Sequence, residues 1–340
     1  MIMKFGILKS FKEIDFLAES YAKACEECGV EWIMLDLFSD DWIEQIEKSG
    51  VDGILVREKA NFAEYKAMYD ERLWTITQYL HIPIYPSWHE LYLYENKRMY
   101  SYFFETHDVP TPNTHVFYDK KSAIDYCKSA NYPLVFKTNG GSAGSGVRIA
   151  KKKREAVRWV ENVFGRIDPH LTLGKCMWTK VGGFLPVPKI GMSQRHYAII
   201  QEYLDIGTEW RIIKIGGTYA GYQRPLEHGH GSCDKMVYGF PPEELLYLIK
   251  RISEENNFGS LSLDVLATKD GKYYVTEMQS LYGSFSPDQC MVDGISGRII
   301  YKDSHFVFEK GNDFFKYNSN VLRVKDFISR IKNESNCHQL

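Results

Sequence analysis

Apolar and polar positions follow two different periods along this chain. The short runs MKFGIL (3–8), EWIMLDL (31–37) and DGILV (52–56) are apolar and rich in aromatic or β-branched residues, and they read as strands. Between them, FKEIDFLAESYAKACEECG (11–29) and SDDWIEQIEKSG (39–50) carry helical spacing and end at glycine. This alternation predicts a parallel α/β sheet. A further helix is predicted over 62–80, then HIPIYPS (81–87), then WHELYLYENKRMYSYFFETHDVPTP (88–112), where a helix stops before Pro110 and Pro112. A domain boundary falls near residue 96. The next region reads strand (114–118), helix (122–130), strand (132–137), glycine loop, strand (146–150) and charged helix (151–165). From residue 196 the pattern turns to strands (196–205, 210–217, 218–223) and a helix (241–257). A hairpin follows, with LSLDVLAT (261–268) and KYYVTEM (272–278) flanking the turn KDG. No internal repeat or low-complexity tail is present.

Composition narrows the class. A chain of 340 residues, 44% hydrophobic and 25% charged, can bury a sizeable core in two or three α/β units. No stretch reaches the roughly 20 apolar residues needed to span a bilayer. The start, MIMKFGILKS, lacks the apolar core of a signal peptide, so the expected location is cytoplasmic. Seven scattered cysteines, an odd number, suit a reducing compartment. A net charge of −2 argues against nucleic acid as the main partner.

The candidate chemistry begins at PLVFKTNGGSAGSG (133–146), where Lys137 ends an apolar run and Gly140, Gly141, Gly144 and Gly146 follow with Ser142 and Ser145. Such a loop brings backbone N–H groups close to an anion without Cβ obstruction, and the lysine adds a point charge. It is neither a Walker loop, since the lysine precedes the glycines, nor a clean dinucleotide fingerprint. From these residues alone a phosphate cradle and a flexible hairpin loop stand level. Asp264 and Glu277 lie on strands predicted to pair, and Glu277 and Gln279 share a face because side chains alternate. Two carboxylates and a carboxamide make an oxygen site for a hard cation, with a solvated hairpin face as the alternative. Cys25 and Cys28 form an isolated CxxC in an amphipathic helix, where packing is favoured over zinc or redox chemistry. Residues 224–235 read as a loop closing over substrate, with His228 or His230 as a base for an amine or simply an exposed histidine. Residues 174–196 read as an irregular insertion whose Lys175, Lys180, Lys189 and Arg195 suit an acidic acceptor or are ordinary solvated cations.

Together these segments resemble the ATP-grasp family of carboxylate:amine ligases, of the glutathione synthetase and ribosomal-protein glutamate ligase type. The resemblance runs through SGVDGILVR (49–57), YENKR (94–98), YPLVFKTNGGSAGSGV (132–147), IIQEYLDIGTEWRIIKIGG (199–217), QRP (223–225) and LDVLATKDGKYYVTEMQS (263–280). It implies an α/β (α+β) ATP-grasp fold with an N-terminal parallel domain (1–96), a central lid carrying the glycine loop (97–200, moving over about 114–195) and a C-terminal antiparallel subdomain with the metal site (201–340). It also implies that Lys97, Lys137 and the loop residues Gly140, Gly141, Ser142, Gly144, Ser145 and Gly146 contact nucleotide phosphates. Gln201, Glu202 and Leu204 would supply the adenine hinge, with Glu209 on the ribose. Arg211 and Arg224 would face the transferred phosphate as catalytic residues, and Asp264, Glu277 and Gln279 would hold metal.

The implied cofactors are ATP and two Mg2+ ions, with Mn2+ able to substitute. The implied reaction activates a carboxylate as an acylphosphate, which an amine or amino acid attacks, releasing ADP and phosphate. Its partners are small-molecule or peptide carboxylates and amines, with a homodimer as an open option. Gln279 departs from the family's usual asparagine and carries its amide oxygen one methylene farther out, which puts the third ligand in doubt. A kinase on the same fold and a nucleotide-binding protein with little turnover are the competing readings.

Overall fold

The alternation near the N-terminus builds β1 (Lys4–Leu8), α1 (Phe16–Glu27), β2 (Glu31–Leu35), α2 (Trp42–Ser49), β3 (Gly53–Leu55), α3 (Ala63–Gln78) and β4 (Ile84–Tyr85). The four strands pair in parallel in the order β2-β1-β3-β4. The computed structural model describes residues 2–9, 16–57, 63–140, 146–165, 177–178, 184–185, 195–227, 230–231, 235–282 and 290–337. No described helix is long and apolar enough to cross a membrane.

The run from residue 88, predicted to carry a helix that stops before Pro110, holds two, α4 (Trp88–Leu93) and α5 (Lys97–Thr106). Ser87 and Glu90 close a capping box that starts α4, and Tyr94 then turns extended. Glu95 takes a left-handed φ of 53°, and Asn96 starts the second helix by accepting from Met99 N. The break makes Lys97 the first residue of α5.

A second sheet comprises β5 (Thr114–Phe117), α6 (Lys120–Ser129), β6 (Leu134–Lys137), β7 (Val147–Ala150), α7 (Lys153–Val163) and, after the two-residue pair β8 (Met177–Trp178) and β9 (Phe184–Leu185), β10 (Ala198–Glu202). Its strands are antiparallel in the order β5-β10-β6-β7, and Cys127, Phe136, Ala156, Val160 and Ile200 form its core.

The third unit begins with β11 (Ile206–Ile215), β12 (Thr218–Arg224), β13 (Leu226–Glu227), β14 (His230–Gly231), β15 (Val237–Tyr238) and α8 (Glu243–Glu255). It continues with β16 (Ser260–Thr268), β17 (Tyr273–Gln279), β18 (Met291–Val292), β19 (Ile295–Lys302), β20 (His305–Lys310) and α9 (Asn320–Cys337). The main sheet runs β17-β16-β11-β12-β19-β18. Phe103 and Phe104 of α5 and Leu246 and Ile249 of α8 join Trp210, Ile212, Leu263 and Val265 in its core.

Helix α9 returns to the first sheet. Val321, Val324 and Phe327 pack with Phe5, Ile7 and Tyr21. A Cβ on Gly53 would stand 2.5 Å from Phe327 Cζ, so this strand must be bare for the helix to approach. Cys25 is buried in the same core, and burial pushes its thiol up to about 12, as packing rather than redox use requires.

Several expectations lie outside the described residues: Gly141, Ser142, Gly144 and Ser145 of the glycine loop, His228, and most of 174–196. His230 is placed on β14.

Candidate functional site

Alternation along β11 sends Trp210 and Ile212 into the core and leaves Glu209 and Arg211 on the opposite face. Strand register then assembles a charged row on that face. Arg224 of β12 lies opposite Glu209, Asp264 of β16 lies opposite Arg211, and Glu277 of β17 lies opposite Asp264. The pairing slips by one residue after Asp264, where Thr276 is extra on β17 and its hydroxyl donates to Asp264 O at 3.2 Å. Such a bulge twists a strand locally, and here it sits at the two acidic positions.

The row is bonded internally. Arg211 donates from Nε to Asp264 Oδ1 at 2.6 Å and from Nη2 to Oδ2 at 2.7 Å. Arg224 Nη2 reaches Asp264 Oδ2 at 2.9 Å and also pairs with Glu209. From α5, Lys97 Nζ lies 3.2 Å from Glu277 Oε1, while Gln279 Nε2 donates to Glu277 Oε2 at 3.3 Å. Lys137 ends β6 in the second sheet and is 9% exposed.

Electrostatics follow from this crowding. Burial pushes the Asp264 carboxyl up, but Arg211 and Arg224 more than reverse it and hold it at about 2. Glu209 is raised to about 7 by burial and then by the Asp264 charge, which together outweigh its arginine partner. Burial lowers Lys137 to about 8 despite Glu277, and the neighbouring Lys97 charge adds to the depression. Lys97 goes the other way: burial would lower it, and Glu277 and Glu95 raise it above the ordinary value. Four cations, Lys97, Lys137, Arg211 and Arg224, thus meet Glu209, Asp264 and Glu277, with Glu95 acting on Lys97 as well, so the charges nearly balance.

A buried donor is also left over. Arg224 Nε has no hydrogen-bond partner among the described residues. An unpaired buried N–H is costly, and one that belongs to a guanidinium fits an anionic oxygen. The residues present therefore suit a polyphosphate. For a metal, the donor set Asp264, Glu277 and Gln279 is oxygen-only, as hard cations require. Both Asp264 oxygens accept from guanidinium groups, and both Glu277 oxygens are engaged, by Lys97 and by Gln279, so a metal would have to displace some of these partners. Among the described residues no three His, Cys, Asp or Glu side chains form a metal cluster of their own.

The glycine loop is closed at its base. Thr138 N donates to Gly146 O at 2.8 Å and Thr138 Oγ1 donates to Gly140 O at 2.7 Å. A Cβ on Gly146 would come within 1.9 Å of Thr138 Oγ1, so glycine is required there. In the expected hinge the side chains brace strands: Gln201 Nε2 donates to Thr114 Oγ1 at 2.6 Å and Glu202 Oε1 accepts from Asn113 N at 2.7 Å. Leu204 is half-buried just beyond β10. Two residues on the charged face escaped the sequence reading. Tyr222 lies opposite Arg211, two positions before Arg224, and Ser262 lies opposite Gln279, with its buried hydroxyl lacking a partner among the described residues. Period-two alternation from Arg224 and Asp264 is the signal that points to both.

Residues 95–168 match the family model for the phosphoribosylglycinamide synthetase ATP-grasp (A) domain. Among curated relatives, the alpha-aminoadipate–LysW ligase LysX of Saccharolobus solfataricus is 43% identical over 56 residues, 16% of this chain and 20% of that protein. The phosphoribosylamine–glycine ligase of Fusobacterium nucleatum is 41% identical over 54 residues, 16% of this chain and 13% of that protein. The matched stretches span a fifth or less of these relatives. In structure, the D-alanine–D-alanine ligase from Bacillus anthracis complexed with ATP aligns over 98% of this chain and 99% of its own, with a TM-score of 0.57 at 14% identity. An N5-carboxyaminoimidazole ribonucleotide synthetase in complex with ADP covers 84% of this chain and 72% of its own, with a TM-score of 0.58 at 13% identity. The chain carries the ATP-grasp fold, and its residues 95–168 match one ATP-grasp domain model.

Proposed function

We propose that the protein is an ATP- and Mg2+-dependent ligase that joins a carboxylate to an amine or amino acid through an acylphosphate, releasing ADP and phosphate. The observation that carries this reading is the charged face of the third sheet, with Arg211, Arg224 and the spare Arg224 N–H, set beside Lys97, Lys137 and the base of the glycine loop. In this reading 1–96 is the N-terminal domain, 97–200 the lid and 201–340 the C-terminal subdomain.

Lys97, Lys137 and the glycine loop bind the nucleotide phosphates, and the main chain of Gln201, Glu202 and Leu204 holds adenine with Glu209 toward the ribose. Arg211 and Arg224 neutralise the phosphoryl group in transfer; their orientation is fixed beforehand by Asp264, so little reorganisation accompanies the reaction. Asp264, Glu277 and Gln279 would hold Mg2+, which when bound supplies further charge neutralisation at the phosphates. No protein nucleophile is needed, because the carboxylate of the substrate attacks the γ-phosphate itself. Positioning and charge carry the catalysis.

Hydroxylamine tests the reading. Incubated with ATP, Mg2+ and a panel of amino acids and dicarboxylic acids, the protein is expected to yield a hydroxamate and ADP. A stable phosphorylated product with no hydroxamate would mean a kinase, and nucleotide binding with neither product would mean a binding protein.

A further inference from the structure

The first N–H groups of a helix have no partner inside it. In α5 two of these donors are satisfied from another sheet. Lys97 N donates to Asn139 O at 2.9 Å, and Arg98 N donates to Asn139 Oδ1 at 2.9 Å. The side chain of the helix's own cap, Asn96, accepts from Met99 N at 3.4 Å. Asn139 stands two residues after Lys137 and directly before Gly140. One residue at the entrance of the glycine loop thus caps the helix whose first residue is Lys97.

A second tie joins α5 to the same sheet beside β5 and β10. The Arg98 guanidinium lies 4.5 Å over the Tyr197 ring and 3.5 Å from the Tyr118 hydroxyl, which in turn meets the Tyr102 hydroxyl at 3.2 Å. Helix α5 is otherwise packed in the core of the third unit through Tyr100, Phe103 and Phe104. The spacing between Lys97 and Lys137 therefore depends on a junction between two sheets, and Asn139 is the residue that spans it with both main chain and side chain.

We propose that Asn139 is a positioning residue for the two lysines: its side chain fixes the start of α5, and so Lys97, relative to Lys137. The inference rests on the nucleotide-site reading above. Without Oδ1 the Arg98 N–H loses its acceptor, the helix start is free to shift, and the paired lysines no longer meet a triphosphate together.

The experiment is a double-mutant cycle on the full chain, read as calorimetric affinity for adenylyl imidodiphosphate with Mg2+. Asn139→Ala is expected to weaken binding about fivefold, the scale of losing one helix cap. In a Lys97→Ala background the same change is expected to have less than about a twofold effect, because Asn139 acts through Lys97. A merely structural role would weaken both backgrounds equally, and that result overturns the proposal, as does unchanged affinity in the single variant. Asn139→Ser, whose hydroxyl is too short to reach Arg98 N, repeats the comparison should the alanine variant fold poorly. A wild-type chain that binds no nucleotide would overturn the site reading itself, and this inference with it.

Discussion

Arg211 and Asp264 face each other across β11 and β16 through two N–H···O bonds of 2.6 and 2.7 Å, and Arg224 adds a third contact of 2.9 Å to the same carboxylate. Asp264 is 6% exposed, so this is a buried cluster in which one carboxylate organises two guanidinium groups. Desolvation makes such a cluster a poor source of net stability, but removal of one member is expensive. Asp264→Ala, which leaves both arginines without their acceptor, is expected to lower stability by about 3–5 kcal/mol in urea denaturation. The pH dependence has a definite sign. A carboxyl held at about 2, against its usual 3.8, contributes stability that is present above 3.8 and is lost as pH falls toward about 2. The wild type should lose stability across that window, and Asp264→Asn should lose less there.

Lys137 gives the opposite titration. Burial lowers its ammonium to about 8, and a phosphate chain binds only the charged form. Nucleotide affinity should therefore fall as pH rises through about 8, while Lys97, raised above its ordinary value, stays charged. Folding stability should move the other way over pH 8 to 10.5, because the unfolded chain then binds the extra proton. Calorimetric titrations across this range on wild type and Lys137→Arg check the claim. The arginine variant should show a flat profile, and an equally steep fall in it would remove Lys137 as the titrating group.

At the hairpin, Glu277 pairs with Lys97, and in the proposed reading it would supply a carboxylate for metal while Gln279 would contribute a neutral oxygen. Glu277→Gln should lower kcat on the order of a hundredfold, with only partial rescue by excess Mg2+. Gln279→Asn changes reach and not charge, and should stay within about tenfold of wild type in either direction. Steady-state rates against Mg2+ concentration distinguish the two. Near-wild-type turnover of Glu277→Gln at limiting Mg2+ would remove the hairpin as the metal site.

At the loop base, Gly146→Ala would drive a Cβ to 1.9 Å from Thr138 Oγ1. Overpacking of this kind costs about 1–3 kcal/mol and should displace the glycine loop, weakening nucleotide binding. Adding Thr138→Ala removes the clashing hydroxyl and should recover part of the affinity. A double variant weaker than Gly146→Ala alone would contradict the steric account.

The first sheet was legible because strands and helices of different period alternate over 3–57, and local pattern is enough to see that. That Asp264 and Glu277 lie on paired strands was legible too, from the KDG turn, but their direct opposition was not: the register set by the turn would place Thr276 opposite Asp264, and the bulge shifts the pairing to Glu277. What escaped had non-local or single-residue causes. The split between α4 and α5 depends on Glu95 at φ 53° and on the Asn96 cap, inside a run whose periodicity looks continuous. Helix α9 belongs to the first sheet through Phe327 and Val324, some three hundred residues from Phe5, and no local pattern encodes that contact. The alternation of Arg224, Glu209, Arg211, Asp264 and Glu277 across four strands needed the strand order before it could be seen. Tyr222 and Ser262 were hidden for the same reason.

The central claim is that this charged face and the glycine loop beside it receive a magnesium nucleotide. Titration calorimetry of the full chain with adenylyl imidodiphosphate, with and without Mg2+, tests it most directly. The account predicts saturable binding at one site per chain, tighter with Mg2+, competed by ADP and lost in Lys137→Ala while that variant remains folded by circular dichroism. No binding by the wild type, or undiminished binding by folded Lys137→Ala, would contradict it.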